Sequence, residues 1–427
     1  MLKLPTPIRS ISCGRVHSSC LDSANKIWTF TNWGRPFRLS SPILSDPEYA
    51  PKQIECGWTF SSLLTKSGHV FIWWPFAGSM GEVIEQKMQE MDSEGDKRVY
   101  AAQGDIIPCV PWDLDITPTR LPPIPTLPDL PNTGDTEKSN AAQLVQIAGF
   151  DNHIVGLTNH GHVLKYGSLH DETGVPHGRW EYLPHFSEVD RLREQPAFSD
   201  ESDAAKLKLP QTMKITHISA NFLHFVAYST GPSSIVLVGD TVANSESQPK
   251  IIRELQNKSV ISVVIGDYHN AALTANGKLL TWGAYSNGAL GLGDPFKLGP
   301  GTPGGFASSE DRTAAGRHLR NPPSVAIPTE VRFDHNLNKP RDRFCFATTA
   351  AGWHTGALVI DLEPGEGKDE AEQIEGLQKG SSRPGPSHRQ LEMPPIVPLP
   401  GIFRVGHAGR GNFGGVRRIQ HPDSDTS

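Results

Sequence analysis

The sequence predicts an all-β protein, folded as a single β-propeller of about six to seven blades. We expect this propeller to be closed by the N- and C-terminal segments and to carry helical and loop insertions. Three observations support the prediction: a hairpin pattern that recurs along the chain, aromatic residues spread through the predicted strands, and many turn-forming residues. The 427 residues include 41 Gly and 36 Pro, which suits short strands joined by tight turns.

The hairpin pattern is clearest in residues 263–293. Gly266 lies three residues before His269, and Leu273 lies four residues after it. Residues 275–278 have the composition of a turn, and an alternating return strand leads to Trp282. A single hairpin cannot bury its apolar face in water, so the pattern predicts repetition.

Six copies of the pattern are found when the position of His269 is taken as a reference, here called the His slot. In chain order the slot holds His17, Phe60, His153, His224, His269 and His354. An Ile or Val lies six residues before the slot in five copies, whereas the sixth has Thr348 and loses its return strand. Recurrence at fixed spacing is typical of repeat architectures. We interpret the slot His as structural, hydrogen-bonded to a neighbouring strand or turn, because a propeller holds equivalent residues apart.

The repeats occupy residues 1–362, with predicted insertions at 79–140, 168–210 and 299–323. In the first insertion Ile84, Met88 and Met91 share one face at helical spacing. This predicts an amphipathic helix that docks on its own propeller or, alternatively, binds a partner. The Pro-rich residues 104–131 favour an irregular or polyproline segment. The second insertion contains scattered His residues that indicate surface, and the third is a predicted mobile Gly/Ser/Pro loop.

The C-terminal region changes composition. Residues 363–400 are acidic and then Pro-rich, which predicts a disordered linker, and residues 416–427 a disordered tail. Residues 401–415 are predicted to close the propeller by completing a blade with the N-terminal hairpin. Their Gly406, Gly409 and Gly411 match the spacing of Gly288, Gly291 and Gly293. Closure would remove exposed strand edges.

Charge and motifs exclude several classes of protein. The net charge of -6 disfavours a nucleic-acid surface. Five Cys without a CxxC pair disfavour disulfides and zinc, and no signal peptide or bilayer-spanning run is found. The glycines at 288–293 precede a Pro and no helical pattern, so they do not predict a phosphate loop. We therefore predict no catalytic, cofactor or metal site, no enzyme activity and a cytoplasmic or nuclear location.

The Gly-x-x-His motif, the Leu four residues on and the closing Trp-Gly resemble the regulator of chromosome condensation repeat family, over residues 5–362 and 402–415. Members form propellers of about seven blades. The opening at 11–39, the insert ending in EMDSEGDKR and the terminal FRVGHAGRGNFGG are similar to fungal members that carry an F-box before the propeller. In those, the F-box docks on the Skp adaptor of a cullin ubiquitin ligase and the propeller selects the substrate. The first repeat begins within a few residues of Met1, so we do not expect an F-box within the given sequence.

The resemblance implies a substrate-recognition subunit of an SCF-type cullin ubiquitin ligase, which targets proteins for ubiquitin-dependent degradation. The expected partner is a protein substrate. The Skp adaptor and cullin are expected only if an F-box lies upstream. We expect no binding to nucleic acid or membrane, and we expect the propeller to be monomeric. The alternatives are an exchange factor or regulator of a small GTPase, and a scaffold propeller without a ligase link. The candidate residues for anchoring a bound protein are the variable residues just before the His slot, which lie on equivalent loops and so on one rim. The alternative is that they pack between blades. These residues are Arg15, Trp58, Asp151, Phe222, Asp267 and Trp353.

Overall fold

Six small sheets follow one another along the chain and form a β-propeller, in agreement with the predicted fold class. The computed structural model describes residues 2–94, 106–130, 141–199, 207–284, 288–318, 321–334, 342–362 and 402–405. Each sheet is one blade and contains one copy of the repeat. The innermost strand of each blade packs against that of the next, from the first blade to the sixth.

The first two blades recruit strands from the first insertion. Blade 1 contains β2 (Ile8–Cys13), β3 (Ser18–Asp22), β4 (Ile27–Phe30), β5 (Phe37–Leu39) and the parallel strand β10 (Trp112–Leu114). Blade 2 contains β6 (Pro51–Cys56), β7 (Ser61–Thr65), β8 (Val70–Trp73) and β11 (Thr119–Arg120). Beside them, β1 (Leu2–Lys3) pairs with β9 (Ile107–Pro108).

The next three blades have four antiparallel strands each. Blade 3 contains β12 (Leu144–Phe150), β13 (His153–Thr158), β14 (Val163–Tyr166) and β15 (Trp180–Tyr182). Blade 4 contains β16 (His217–Asn221), β17 (His224–Tyr228), β18 (Val236–Asp240) and β19 (Lys250–Ile251). Blade 5 contains β20 (Val260–Ile265), β21 (His269–Thr274), β22 (Leu279–Gly283) and β23 (Val325–Glu330).

Blade 6 contains β24 (Arg343–Ala351), β25 (His354–Asp361) and β26 (Ile402–Val405). The C-terminal segment was predicted to complete a blade with the N-terminal hairpin. For residues 402–405 this is wrong, because β26 pairs antiparallel with β25. The sixth repeat lacks its own return strand and so leaves β25 an open edge, whereas blade 1 already has strands on both sides of β3. The predicted linker, the rest of the closing segment and the tail lie outside the described residues.

The core consists of apolar clusters between neighbouring blades. The Ile or Val six residues before the slot packs against the preceding blade: Ile54 joins residues of blade 1 such as Leu21, and Val263 joins residues of blade 4 such as Val226. The Leu four residues after the slot lies on the opposite face, towards the following blade. The recurring apolar positions of the sequence are therefore the two faces of each interface between blades.

The predicted amphipathic helix is α1 (Gly78–Ser93), and it docks on its own propeller. Met80 and Ile84 are buried against side chains of blades 1 and 2, Met91 is buried and Met88 packs partly against the same cluster. An ion pair of 2.7 Å between Arg35 and Asp92 ties the end of the helix to blade 1. This packing uses the apolar face that a partner-binding helix would need.

All three insertions contain more regular structure than the sequence predicted. The Pro-rich segment contributes β10 and β11, which are short outer strands of the kind that tolerate nearby prolines. The loop 299–323 contains the helix α4 (Ser309–His318). Its first turn is capped by Ser308, whose hydroxyl accepts from the Asp311 backbone N–H at 3.0 Å. The second insertion provides β15 and two short helices, α2 (Val189–Arg193) and α3 (Pro196–Ser199).

Candidate functional site

The loop before the His slot is a tight turn, and in three of the six repeats it begins with a glycine that the slot ring requires. The backbone N–H of Gly14 donates to the carbonyl of His17 at 2.9 Å, and that of Gly266 donates to the carbonyl of His269 at 2.7 Å. A Cβ at Gly14 would lie 2.8 Å from the His17 ring, and one at Gly266 would lie 2.4 Å from the His269 ring. Two residues therefore lie between the Gly and the slot, and the turn places them at one end of the propeller.

Two of the five slot His residues, His17 and His269, join blades and so fit the structural role that the sequence predicted. His17 Nε2 lies 2.9 Å from the hydroxyl of Ser61 and 3.1 Å from the carbonyl of Phe60, both in blade 2. His269 Nε2 lies 2.9 Å from the hydroxyl of Thr355 in blade 6. Burial lowers the pKa of His17 to about 4, so this ring is neutral at neutral pH. His153 bonds within its own loop, and His224 and His354 are exposed.

The residues two positions before the slot converge on the central channel. A cavity of about 190 Å³ is lined by loop residues of all six blades. The Arg15 guanidinium lies 3.9 Å from the centroid of the Trp58 ring, and Trp58 stacks on Phe222 at 4.8 Å. Phe222 in turn meets Tyr268 edge-to-face at 5.6 Å. These contacts cross between blades 1, 2, 4 and 5. We call the residues two positions before the slot in the first five repeats the channel mouth: Arg15, Trp58, Asp151, Phe222 and Asp267.

Backbone hydrogen bonds hold the channel-mouth loops together. The N–H of Asp151 donates to the carbonyl of Phe222 at 2.7 Å, and the N–H of Asp267 donates to the carbonyl of Gly352 at 3.1 Å. Asn221 Nδ2 donates to the carbonyl of Ile265 at 3.0 Å. Each bond joins one blade to the next. Asp151 and Asp267 therefore contribute to the site through their backbone N–H groups, whose hydrogen bonds fix the loops of neighbouring blades relative to each other.

Residues one position before the slot point outward instead. In four repeats they are apolar and between 37% and 55% exposed, and we call them the apolar rim: Val16, Leu223, Tyr268 and Trp353. Because the turn is only two residues long, its two side chains project in different directions. The rim residues lie on the same turns as the channel mouth in blades 1, 4, 5 and 6, and they combine two aromatic rings with two aliphatic side chains.

The six sequence-predicted anchors thus divide into two groups. Five lie at the channel mouth: Arg15, Trp58, Asp151, Phe222 and Asp267. Among them, Trp58 of blade 2 stacks on Phe222 of blade 4, which is the packing between blades given above as the alternative. Trp353 lies on the apolar rim, one position later in its repeat. Sequence reasoning missed Val16, Leu223 and Tyr268. The signal was present, because the position directly before the slot is apolar in four of the six copies.

Metal chemistry has no support in the part of the chain that the structure describes, since no three His, Cys, Asp or Glu side chains are placed to hold an ion. Among the described helices, none has the length and apolar character to cross a bilayer. Together, the channel mouth and the apolar rim form a contact surface on which the Arg15 guanidinium lies over the Trp58 ring.

Comparisons with known proteins agree with the repeat and the fold. The regulator of chromosome condensation (RCC1) repeat model matches residues 260–289. SCF-associated factor 1 of Saccharomyces cerevisiae is 36% identical over 30% of this chain and 19% of its own length. F-box protein pof9 of Schizosaccharomyces pombe is 27% identical over 34% of this chain and 28% of its own. A secretion-regulating guanine nucleotide exchange factor of Bos taurus is 28% identical over 36% of this chain and 32% of its own. Each match spans about a third or less of the relative.

The recurring hairpin and the six blades define the class of fold, a β-propeller, in which residues 260–289 of blade 5 match the regulator of chromosome condensation repeat. Within that class, the chain is related to SCF-associated factor. A role in protein interaction follows, since both the class and the exposed apolar rim favour contact with other proteins.

Proposed function

We propose that the apolar rim and channel mouth bind the protein substrates of an SCF-type cullin ubiquitin ligase, for which this propeller is the substrate-recognition subunit. Ligation chemistry then belongs to partner proteins. The observation that carries the proposal is the exposure of Tyr268 and Trp353 on one face, beside a channel closed by Arg15 and Trp58.

Large aromatic side chains and Arg supply most of the binding free energy in protein interfaces. Tyr268 and Trp353 belong to adjacent blades, and the bond between Asp267 and Gly352 fixes their loops relative to each other. A surface with little freedom loses little entropy on binding. This favours recognition of an apolar segment of another protein over chemistry on a small molecule.

The ligase link is supported by sequence similarity to two relatives, an SCF-associated factor and an F-box protein. The alternative, regulation of a small GTPase, is supported by the exchange factor among the relatives. The apolar rim is compatible with either partner, so the experiment must separate them.

The test captures the tagged chain from cells after proteasome inhibition and quantifies the recovered proteins by mass spectrometry. We expect a set of ubiquitin-modified proteins, and we expect Tyr268→Ala with Trp353→Ala to reduce their recovery more than tenfold. The matched control is Ile327→Ala, since Ile327 is equally exposed but lies on the outer strand of blade 5.

Each outcome decides a separate part of the proposal. Recovery of a cullin and its adaptor supports the ligase link, whereas recovery of a nucleotide-free GTPase with no ubiquitin-modified set supports the alternative. Equal recovery by the rim variant and the Ile327→Ala control would remove the apolar rim as the binding face.

A further inference from the structure

The Pro-rich part of the first insertion ends in a segment, residues 121–130, that packs against the interface between blades 2 and 3. Its sequence is LPPIPTLPDL, and it belongs to no strand or helix. The segment follows β11 directly, and the backbone N–H of Leu121 donates to the carbonyl of Val70 in blade 2 at 2.9 Å. The sequence favoured an irregular or polyproline conformation here, and the burial of the side chains favours the polyproline one.

Apolar side chains of this segment face the propeller at every third position. Leu121 is 3% exposed, and Ile124 and Leu127 are partly buried against the apolar cluster between blades 2 and 3. Leu130, three residues further on, is also partly buried. A polyproline II helix has three residues per turn, so this spacing places all four side chains along one edge of such a helix.

Two side chains of blade 3 hold the backbone of the segment. Trp180 Nε1 donates to the carbonyl of Pro122 at 2.9 Å. His162 Nε2 donates to the carbonyl of Pro128 at 2.8 Å, and His162 Nδ1 lies 2.9 Å from the hydroxyl of Thr158. The Trp180 and His162 side chains are both buried. The backbone is therefore fixed at two points, which lie about 19 Å apart along a polyproline II helix.

The six other side chains of the segment are exposed, and we call them the proline ridge. By the same spacing they lie on two edges of the helix: Pro122, Pro125 and Pro128 on one, and Pro123, Thr126 and Asp129 on the other. A proline ring recurs on the first edge once per turn, about every 9 Å. Within the described part of the chain, the backbone of residues 123–127 makes no hydrogen bond, so its carbonyls can accept one from a partner.

We propose that the proline ridge is a docking site for a protein module that binds polyproline helices in an aromatic-lined groove. Such grooves bind the PxxP pattern, which occurs here at 122–125 and again at 125–128. The Trp and Tyr side chains of a groove of this kind carry N–H and O–H donors that suit the unpaired carbonyls. Because blade 3 already holds the helix in place, its binding loses little conformational entropy. The inference does not depend on the proposed ligase role.

The exposed edges restrict the kind of module that can bind. A groove that must contact the residue before each proline would meet Leu121, Ile124 and Leu127, which pack against the propeller. The ridge instead offers each proline together with the residue after it. In the last of these pairs Asp129 follows Pro128, and its side chain adds a negative charge. We therefore expect a basic residue at the corresponding end of the partner's groove.

The test measures binding of the full-length chain to an array of purified proline-recognition domains of the SH3, WW and EVH1 types by biolayer interferometry. We expect at least one domain type to bind, and we expect Pro122→Ala combined with Pro125→Ala to raise its Kd at least tenfold. Thr126→Glu keeps every proline and should also raise the Kd at least tenfold, because it places a charge on the docking surface. The matched control is Pro111→Ala, an exposed proline of the same insertion outside the ridge, which should change the Kd less than twofold.

Urea unfolding of each variant accompanies the binding measurement, and we expect the midpoints to stay close to that of the wild-type chain. Failure of every domain in the array to bind would overturn the proposal. So would a Kd that the ridge variants leave unchanged, since the domain would then bind elsewhere on the chain. A lower urea midpoint of the double proline variant, without a change in Kd, would assign the segment a purely structural role.

Discussion

Gly266 is required by its neighbour rather than by its own backbone angles. Its φ is not left-handed, yet a Cβ would lie 2.4 Å from the His269 ring. That ring is held by Thr355, so it cannot move aside without breaking a bond between blades. The Gly-x-x-His motif is therefore one unit, in which the absence of a side chain makes space for the ring.

We expect Gly266→Ala to destabilise the protein by about 1–3 kcal/mol, the usual result of inserting a methyl group into a packed site. Gly316→Ala is the matched control in α4, where the nearest atom to the new Cβ is 3.9 Å away. There the substitution should stabilise by about 0.5–1 kcal/mol through helix propensity. Urea unfolding measures both, and a Gly266→Ala variant as stable as wild type would contradict this account.

Two titratable groups, the buried His17 and the half-buried Glu55, have opposite effects on stability as pH changes. His17 has a pKa lowered by burial to about 4, against 6.5 when unfolded, so its contribution is present above pH 6.5 and lost as pH falls to 4. Burial raises the pKa of Glu55 to about 7, against 4.5 when unfolded, despite hydrogen bonds from Gln53 and Ser12. Its contribution is present below pH 4.5 and lost as pH rises through 7.

Between about pH 4.5 and 6.5 these contributions oppose each other, and single substitutions should separate them. Glu55→Gln should stabilise the protein at pH 8 by about 2 kcal/mol, less than the full pKa shift implies, because Glu55 is only partly buried by surface area. His17→Phe, which copies the slot residue of the second repeat, should remove the loss of stability between pH 6.5 and 4. Urea unfolding from pH 4 to 8 would measure this, and Glu55→Gln is contradicted if its curve runs parallel to that of wild type.

At the scale of elements, α1 shows how an insertion becomes part of the core. One face of the helix is buried against blades 1 and 2, whereas Val83 lies outside this face and is 44% exposed. The helix has no side-chain N-cap, so its stability comes from this packing rather than from capping.

Ile84→Ala should therefore cost about 2–4 kcal/mol, since it removes buried apolar volume that cannot be refilled. Val83→Ala, one residue earlier on the exposed face, should change stability by less than about 0.5 kcal/mol. Chemical denaturation of the two variants makes the comparison. Equal effects would mean that the helix is not docked as described.

The elements that the sequence predicted are those with a recurring side-chain pattern. The hairpins and α1 repeat their apolar residues at strand or helix spacing, and such patterns reflect burial directly. The strands β10 and β11 were missed because they have two or three residues each and depend on pairing with distant strands. α4 was missed because Gly and Pro around it concealed its Ser308–Asp311 cap. Likewise, the separation of apolar rim from channel mouth depends on turn direction, which composition does not encode.

At the scale of the whole molecule, the described residues form six blades, and four of the five interfaces between consecutive blades use the same two positions. The repeat therefore stabilises the molecule only where a neighbour is present. Ile11 and Ile54 occupy the same position in adjacent blades, yet Ile54 is 3% exposed beside blade 1 whereas Ile11 is 64% exposed. The free-energy cost of truncating each side chain should therefore differ between the two blades.

We expect Ile54→Ala to destabilise the protein by about 2–5 kcal/mol, because residues of blade 1 cover the Ile54 side chain. Ile11→Ala should cost less than about 1 kcal/mol, since most of the Ile11 side chain is exposed. Denaturant unfolding of the two variants measures both costs. An Ile11→Ala cost equal to that of Ile54→Ala would show that Ile11 is covered as fully as its counterpart, so that the exposed position does not differ from the buried one.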